Sequence, residues 1–268
     1  PMSVIRLASC SMTGARSHNE DVVRCGSTGQ AHFAVVADGA GGHRRGAEAA
    51  RRTADCLERL LREGGLEFSP ASLTAMVRQA HRVLLAHQDA SAAELRMHST
   101  VVTLWIDAVS QQALWTHVGD SRLYRIRQQR TDVVTSDDSV VQQMVRLGLI
   151  SIEQAAHHPQ KNQLVAALGI EGDVDPHTVV RPVELHDGDA FLLCTDGWWE
   201  GIDDQALRQT LARALSPQDW LEDMRDLIEA RQVPRQDNFS AVALWAGNPG
   251  GASSLGSDDT LPRPTFLS

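Results

Sequence analysis

An apolar run that ends at a carboxylate and a glycine-rich turn constrains this chain more than any other stretch. Residues 33–37 are Phe-Ala-Val-Val-Ala, and Asp38 follows them directly, before three glycines at 39, 41 and 42. A short Val-rich run bounded by glycine is typical of a buried strand. An ionised carboxylate at the edge of a core carries a large desolvation cost unless a donor or a cation meets it. Asp38 therefore either caps a following helix, expected from about Gly46, or belongs to a cation site.

The same arrangement recurs at three further carboxylates. Asp120 follows a predicted strand at 114–118, Asp196 follows one at 190–195, and Asp237 stands just before one at 239–245. Mg²⁺ and Mn²⁺ prefer oxygen ligands, which converging carboxylates supply without His or Cys. Four carboxylates at the ends of four predicted strands therefore predict a divalent-metal site.

Length and composition favour a single domain with an acidic surface. The 268 residues are 42% hydrophobic, which is enough for one sizeable core, and we predict a domain over 1–246 with a flexible Gly/Ser/Pro-rich tail at 247–268. A formal charge of −9 argues against a nucleic-acid partner. The four cysteines form no CxxC pair, and neither a membrane span nor a signal peptide is recognisable, so we expect a cytoplasmic protein with reduced thiols.

The order of predicted elements indicates an α+β fold with two antiparallel sheets and helix pairs outside them. A segment of short helical pieces interrupts the strands at 139–168 and is predicted to be a flap over the edge of a sheet. Predicted strands lie at 4–10, 22–25, 33–37, 101–106, 114–118, 123–126, 133–134, 178–183, 190–195 and 239–245, and predicted helices at 46–61, 70–87, 140–145, 151–154, 163–168, 203–215 and 217–228.

Seven segments, taken in order, resemble the motifs of the metal-dependent Ser/Thr protein phosphatases of the PP2C (PPM) family, in its bacterial form. They are R-S-H-N-E-D at 16–21, D-G-A-G-G-H at 38–43, H-S-T at 98–100, G-D-S-R at 119–122, a flap segment with Gly148, His158-Pro159, Asn162 and A-L-G at 167–169, T-D-G at 195–197 and D-N-F-S at 237–240. Each motif alone is weakly specific, but seven in order are strongly specific. The resemblance implies a β-sandwich flanked by helix pairs, which agrees with the element order.

The resemblance also implies a ligand set for two core metal ions, Mn²⁺ or Mg²⁺. By this correspondence Asp38 bridges the two ions, and the carbonyl of Gly39 is a ligand of one of them. Asp196 and Asp237 ligate the other ion.

Further roles follow from the same correspondence. Glu20 and Asp21 act mainly through metal-bound waters, and Asp120 holds a third ion together with Asp196, as in bacterial relatives. Arg16 binds the substrate phosphate, for which a bidentate guanidinium is suited. A solvated loop around Arg16 and a turn cap at Asp120 are the plainer alternatives.

The activity implied is hydrolysis of phosphoserine and phosphothreonine by a hydroxide that bridges the two metals, without a covalent phosphoenzyme. Phosphorylated proteins would be the substrates, a bacterial Ser/Thr kinase the opposing enzyme, and the protein a monomer. Eukaryotic members carry a His, proposed to protonate the leaving alkoxide, where this chain has Ala40. That acid is therefore unassigned, with a third-metal water near Asp120 as the candidate. The alternative functions are a phosphoprotein-binding pseudophosphatase and a hydrolase of small phosphate esters.

Overall fold

Two antiparallel sheets form the centre of the protein, described here by a computed structural model for residues 3–29, 31–40, 44–88 and 96–249. Positions 41–43 of the second motif and the predicted tail from 250 onwards lie outside these ranges. The elements are β1 Ile5–Met12, β2 Asp21–Thr28, β3 Ala31–Ala40, α1 Arg44–Glu63, α2 Pro70–Ala86, β4 His98–Ser99, β5 Val101–Asp107, β6 Gln112–Val118, β7 Arg122–Arg127, β8 Arg130–Val133, α3 Val140–Arg146, α4 Ile152–Ala156, β9 His177–Thr178, β10 Val183–Glu184, β11 Asp189–Cys194, α5 Asp196–Trp199, α6 Asp204–Arg213, α7 Pro217–Ala230 and β12 Phe239–Ala246.

The strand order places the ends of the described chain together. One sheet runs β1-β12-β11-β7-β8 and the other β10-β6-β5-β3-β2, with β4 paired to β3 and β9 paired to β6. Both β3 and β5 are buried on two faces, because the sheet that contains β12 covers one face and the helices α1 and α2 cover the other. Along β3 the side chains alternate accordingly: Phe33 and Val35 pack under the helices, and Ala34 and Val36 pack between the sheets. The predicted α+β sandwich with helices outside is therefore confirmed.

Local capping signals placed two helices correctly. Ser69 accepts a hydrogen bond from the amide of Ser72 at the start of α2, and Ser216 accepts one from the amide of Asp219 at the start of α7. In both helices a proline occupies the first turn, where its missing N–H costs nothing.

Two predicted elements were wrong. The segment 163–168 is irregular rather than helical. Leu164 forms an isolated bridge with Ser139, and Leu168 exchanges backbone hydrogen bonds with Ser99 at 2.8 and 3.1 Å. The strand predicted at 178–183 is two short pieces, β9 and β10, separated by a turn in which Val180 is 90% exposed. Pro182 follows in this connection, and a proline lacks the N–H that a continuous strand would need.

Other features of the described chain bear on the earlier expectations. The cysteines Cys10, Cys25, Cys56 and Cys194 are free. Within the described ranges, none of the helices combines the length and apolarity needed to cross a membrane. The flap, residues 139–168, carries α3 and α4, and an ion pair of 2.7 Å between Lys161 and Glu200 joins it to the end of α5.

Candidate metal centre

The predicted carboxylates of both sheets meet at one end of the sandwich. Asp21 and Asp38 are direct neighbours across the β2–β3 pair. Asp120 lies in the turn after β6, Asp196 is the first residue of α5, and Asp237 precedes β12 by two residues. All of them except the buried Asp21 line one cavity of about 300 Å³. The fold therefore brings together residues that are more than 200 positions apart in the sequence.

Thr100 fixes the main chain of Asp38 from both sides. Its hydroxyl accepts a hydrogen bond from the amide of Asp38 at 3.0 Å, and its own amide donates to the carbonyl of Asp38 at 2.9 Å. The same hydroxyl bonds to Ser121 at 2.8 Å, in the turn that carries Asp120. Gly119 of that turn has φ +101°, and a Cβ there would lie 2.7 Å from the Thr100 methyl. Thr100 therefore sets the spacing between two predicted ligands.

Gly39 is required by a close approach of two backbones. A Cβ at Gly39 would overlap the carbonyl of Gly46 in the first turn of α1, and a Cβ at Gly46 would overlap the carboxylate of Glu20. The amide of Gly39 also donates to the carbonyl of Glu20 at 3.1 Å. The carboxylate of Glu20 is thus held against the start of α1, where the helix dipole favours negative charge.

Asn238 holds the loop that carries Arg16. Its side-chain oxygen accepts from the amide of Glu20 at 2.9 Å, and its side-chain nitrogen donates to the carbonyls of Thr13 at 2.7 Å and His18 at 2.9 Å. Neither Asn238 nor Thr100 is predicted from the sequence to have a role of its own. The signal that could have found them is their place inside the motifs, beside predicted ligands.

Arg16 lies at the mouth of the cavity and contacts a predicted ligand. Its Nη2 is 2.8 Å from Oδ2 of Asp237, and the two side chains are 57% and 36% exposed. A guanidinium has five N–H donors, so this pair leaves donors free to face the cavity. The assignment of Arg16 to phosphate binding remains a prediction.

Asp21 shows most directly what it costs to bury these carboxylates. The hydroxyl of Thr195 donates to its Oδ2 at 2.9 Å, whereas its Oδ1 is buried and has no hydrogen-bond partner among the described residues. Burial raises the pKa of Asp21 to about 7, against the lowering effect of hydrogen bonds from Ser240 and Thr195, and the charges of Asp196 and Asp237 raise it further. A buried anion with an unpartnered oxygen is costly, and a cation would offset that cost.

The pKa values of the neighbouring carboxyl groups are raised as well. Burial, followed by the charges of the other carboxylates, raises the pKa of Asp38 and that of Asp120 well above their usual range. Burial also raises the pKa of Asp196 to about 6. The donors are carboxylate and carbonyl oxygens, which hard divalent cations prefer. The residues present therefore fit the metal ions that the resemblance implies.

The turn of Asp120 is also fixed from the side of the flap. The indole N–H of Trp199 donates to the carbonyl of Asp120 at 3.0 Å, and the guanidinium of Arg122 lies 3.5 Å from the centre of the Trp199 ring. Arg122 forms two hydrogen bonds with Asp137, of 3.0 and 2.7 Å, just before the flap begins. This contact couples the position of Asp120 to the root of the flap.

Comparison with known proteins decides the family. The sequence profile described as Protein phosphatase 2C matches residues 11–232. This chain belongs to the protein phosphatase 2C family. The predicted family and fold are therefore confirmed, and family membership implies dependence on a divalent metal.

Relatives and solved structures of this phosphatase family cover most of the described chain. The serine/threonine protein phosphatase PstP of Mycobacterium tuberculosis (strain H37Rv) is 33% identical over 241 residues, covering 89% of this chain but 44% of PstP. The serine/threonine phosphatase stp of Listeria monocytogenes (serotype 4b) is 33% identical over 186 residues, covering 66% of this chain and 70% of stp. The crystal structure of M. tuberculosis PstP superposes with a TM-score of 0.80 at 28% identity, covering 91% of this chain and 99% of the crystallised one. The chain thus spans less than half the length of PstP.

Proposed function

We propose that this protein is a metal-dependent phosphatase that hydrolyses phosphoserine and phosphothreonine in proteins. The observation that carries the proposal is the cavity itself, which is lined by converging carboxylates and has a guanidinium at its mouth. Negative groups held this close need cations, and cations held here would attract a phosphate dianion. The relatives named as serine/threonine phosphatases support the same activity.

The metal ligands proposed are those that the family resemblance predicted. Asp38, the carbonyl of Gly39, Asp196 and Asp237 would hold two ions, with Glu20 and Asp21 acting behind them. When bound, the ions lower the pKa of a water and neutralise charge on the phosphate. Mn²⁺ or Mg²⁺ suits the oxygen donors, and the structure of the PstP catalytic domain with two manganese ions, alike at a TM-score of 0.78 and 26% identity, favours Mn²⁺.

The remaining groups at the cavity would handle substrate and a third ion. Arg16 would orient the phosphate with the N–H groups that Asp237 does not occupy. Asp120, beside Asp196, would supply the third site. Ala40 lines the cavity with a methyl group and has no proton to give, so the leaving alkoxide takes its proton from water or another group.

Substrate class separates this proposal from its alternatives. A pseudophosphatase is disfavoured, because Asp38, Asp120, Asp196 and Asp237 are all present and assembled around one cavity. We further propose that the phosphatase domain spans 1–246 and that it acts as a monomer on phosphoproteins, opposing a Ser/Thr kinase. A hydrolase of small phosphate esters would share the metal centre but not the preference for peptides.

Parallel assays would test the proposal. Release of phosphate from phosphoserine and phosphothreonine peptides, p-nitrophenyl phosphate and nucleotides would be measured with Mn²⁺, Mg²⁺ or EDTA, using Asp38→Ala as the inactive control. We expect metal-dependent turnover of peptides, and a loss of at least about 100-fold in Asp38→Ala, on the scale of removing a principal electrostatic group. Full turnover in a chelator-treated sample would contradict the metal mechanism. Faster hydrolysis of nucleotides than of peptides would indicate the small-ester alternative, and tight peptide binding without turnover would indicate a pseudophosphatase.

A further inference from the structure

A second group of metal-ligating side chains lies beside the flap, apart from the acidic centre. His117 on β6 and His177 on β9 are direct neighbours across the strand pair, and their rings stack with centroids 4.9 Å apart. Asp138, at the root of the flap, lies against them. One ligand atom from each of the three residues falls within 4.8 Å of the other two.

The hydrogen bonds of His117 determine which ring nitrogen carries its proton. Its Nε2 lies 2.8 Å from the carbonyl oxygen of Ser136, which can only accept, so Nε2 carries the hydrogen. In the neutral ring Nδ1 then carries a lone pair. Within the described ranges this nitrogen has no hydrogen-bond partner, and the residue is 4% exposed. Burial lowers the pKa of His117, which favours that neutral form. A histidine that donates one N–H to a backbone carbonyl and presents the other nitrogen is the usual arrangement of a metal ligand.

Asp138 is oriented by the main chain of Gly119 and is hydrogen-bonded to His177. Its Oδ2 accepts from the amide of Gly119 at 2.9 Å, and its Oδ1 is 2.8 Å from Nε2 of His177. This pair satisfies Asp138 and His177 on its own, but it leaves Nδ1 of His117 without a partner. A metal ion would replace the shared hydrogen and would also use the orphaned lone pair.

We propose that His117, Asp138 and His177 form a site for one divalent transition-metal ion of the Zn²⁺ or Co²⁺ type. Two imidazoles and one carboxylate are a common zinc ligand set, with water in the fourth position, and they suit Mg²⁺ poorly. Zinc–ligand distances of about 2.0–2.1 Å bring ligand atoms to roughly 3.4 Å from one another, so the group has to contract. The side chain of His177 is 46% exposed and can make that movement while leaving a path for the ion.

The site would fasten the root of the flap to the strand that leads to Asp120. Asp138 bonds Gly119 twice, through its carboxylate and through its own amide, which donates to the Gly119 carbonyl at 3.0 Å. The next residue, Ser139, caps α3. An ion bound to Asp138 would therefore fix the positions of β6 and β9, the turn before Asp120 and the first helix of the flap relative to one another.

Cobalt spectroscopy would test the site independently of catalysis. With excess Mg²⁺ occupying the acidic centre, one equivalent of Co²⁺ should give the intense visible absorption of a four-coordinate nitrogen-containing site, which oxygen-only six-coordinate cobalt lacks. Zn²⁺ should abolish this absorption at one equivalent. In His177→Gln the cobalt affinity should fall at least about 100-fold, the upper end of what loss of an outer-shell partner costs.

Matched variants make the result decisive. His186→Gln is the control, because its side chain is also 46% exposed and lies outside the group, so its spectrum should equal that of the original protein. His117→Gln should lose the absorption too, and urea unfolding would verify that this buried variant folds. The proposal is overturned if His177→Gln binds cobalt like the original protein, or if the original protein shows no absorption once Mg²⁺ is present.

Discussion

The strongest test of the acidic centre is the effect of one carboxylate on stability. The pKa of Asp21 rises from 3.8 to about 7 on folding, so between these values the native state binds a proton more tightly than the unfolded state. Stability from this proton is fully present below pH 3.8 and is lost as the pH rises through about 7. One pKa unit corresponds to about 1.4 kcal/mol, so ionised Asp21 costs about 4 kcal/mol of folding free energy at pH 8 without metal.

Replacing Asp21 with Asn should remove that cost. Asn keeps the size and an acceptor for Thr195 but cannot ionise. In the presence of a chelator we expect Asp21→Asn to be more stable than the original protein by about 4 kcal/mol at pH 8 and by less than half of that at pH 5. Burial also raises the pKa of Asp196 to about 6, which should give the variant a residual pH dependence of the same sign.

Urea unfolding followed by tryptophan fluorescence would measure both proteins at the two pH values, with Asp175→Asn as the control because that side chain is 96% exposed. Added Mn²⁺ should narrow the difference, because an ion that binds the native state stabilises most the protein that keeps Asp21 behind the metal ligands. If Asp21→Asn were no more stable than the original protein at pH 8 without metal, the inference of an uncompensated buried charge would be wrong.

Four further predictions concern single substitutions. Asp120→Asn should fold and bind two Mn²⁺ by calorimetry yet lose most turnover at saturating substrate, whereas an unchanged kcat would make this residue a turn cap. Arg16→Ala should raise KM for phosphopeptides with Mn²⁺ affinity unchanged, and loss of Mn²⁺ binding would contradict its role. Gly39→Ala should lower the unfolding free energy by about 1–3 kcal/mol, since the carbonyl of Gly46 cannot move aside, and an unchanged urea midpoint would refute this clash. Asn238→Ala removes three hydrogen bonds and should cost about 1–3 kcal/mol, detected as a lower urea midpoint, with no change counting against the clamp.

The sequence predicted those parts of the structure that depend on neighbouring residues. The caps at Ser69 and Ser216 and the buried strand before Asp38 follow from side chains within a few positions, and the structure contains them. The helix predicted at 163–168 was wrong because the conformation of this segment depends on Leu168 pairing with Ser99, about 70 positions away. The pairing with Ser99 outweighed the local preference of this segment for a helix.

In the candidate site, too, the residues predicted from the sequence are those with local signals, and the residues that were not predicted depend on distant contacts. Asp38, Asp120, Asp196 and Asp237 were visible because each flanks an apolar run, whereas Glu20 and Asp21 came only from the family resemblance. The supports of these carboxylates were not visible, since the bonds from Asn238 reach Thr13 across 225 positions and Thr100 meets Ser121 across 21. Likewise, the facing of His117 and His177 depends on the register of β9 against β6, and no periodicity in the sequence specifies a two-residue strand.

The position of β12 in its sheet determines how late in synthesis the protein can finish folding. This strand lies between β1 and β11, so the first strand of the described chain has no neighbour in the sheet until the last one has been synthesised. Pairing β1 with β12 closes a loop of most of the chain, a contact that is slow to form because of its entropy cost. Asp237 and Asn238 arrive with that same strand. Until β12 has been synthesised the proposed metal centre lacks Asp237, so we expect the protein to gain its metal-binding capacity only when the fold closes.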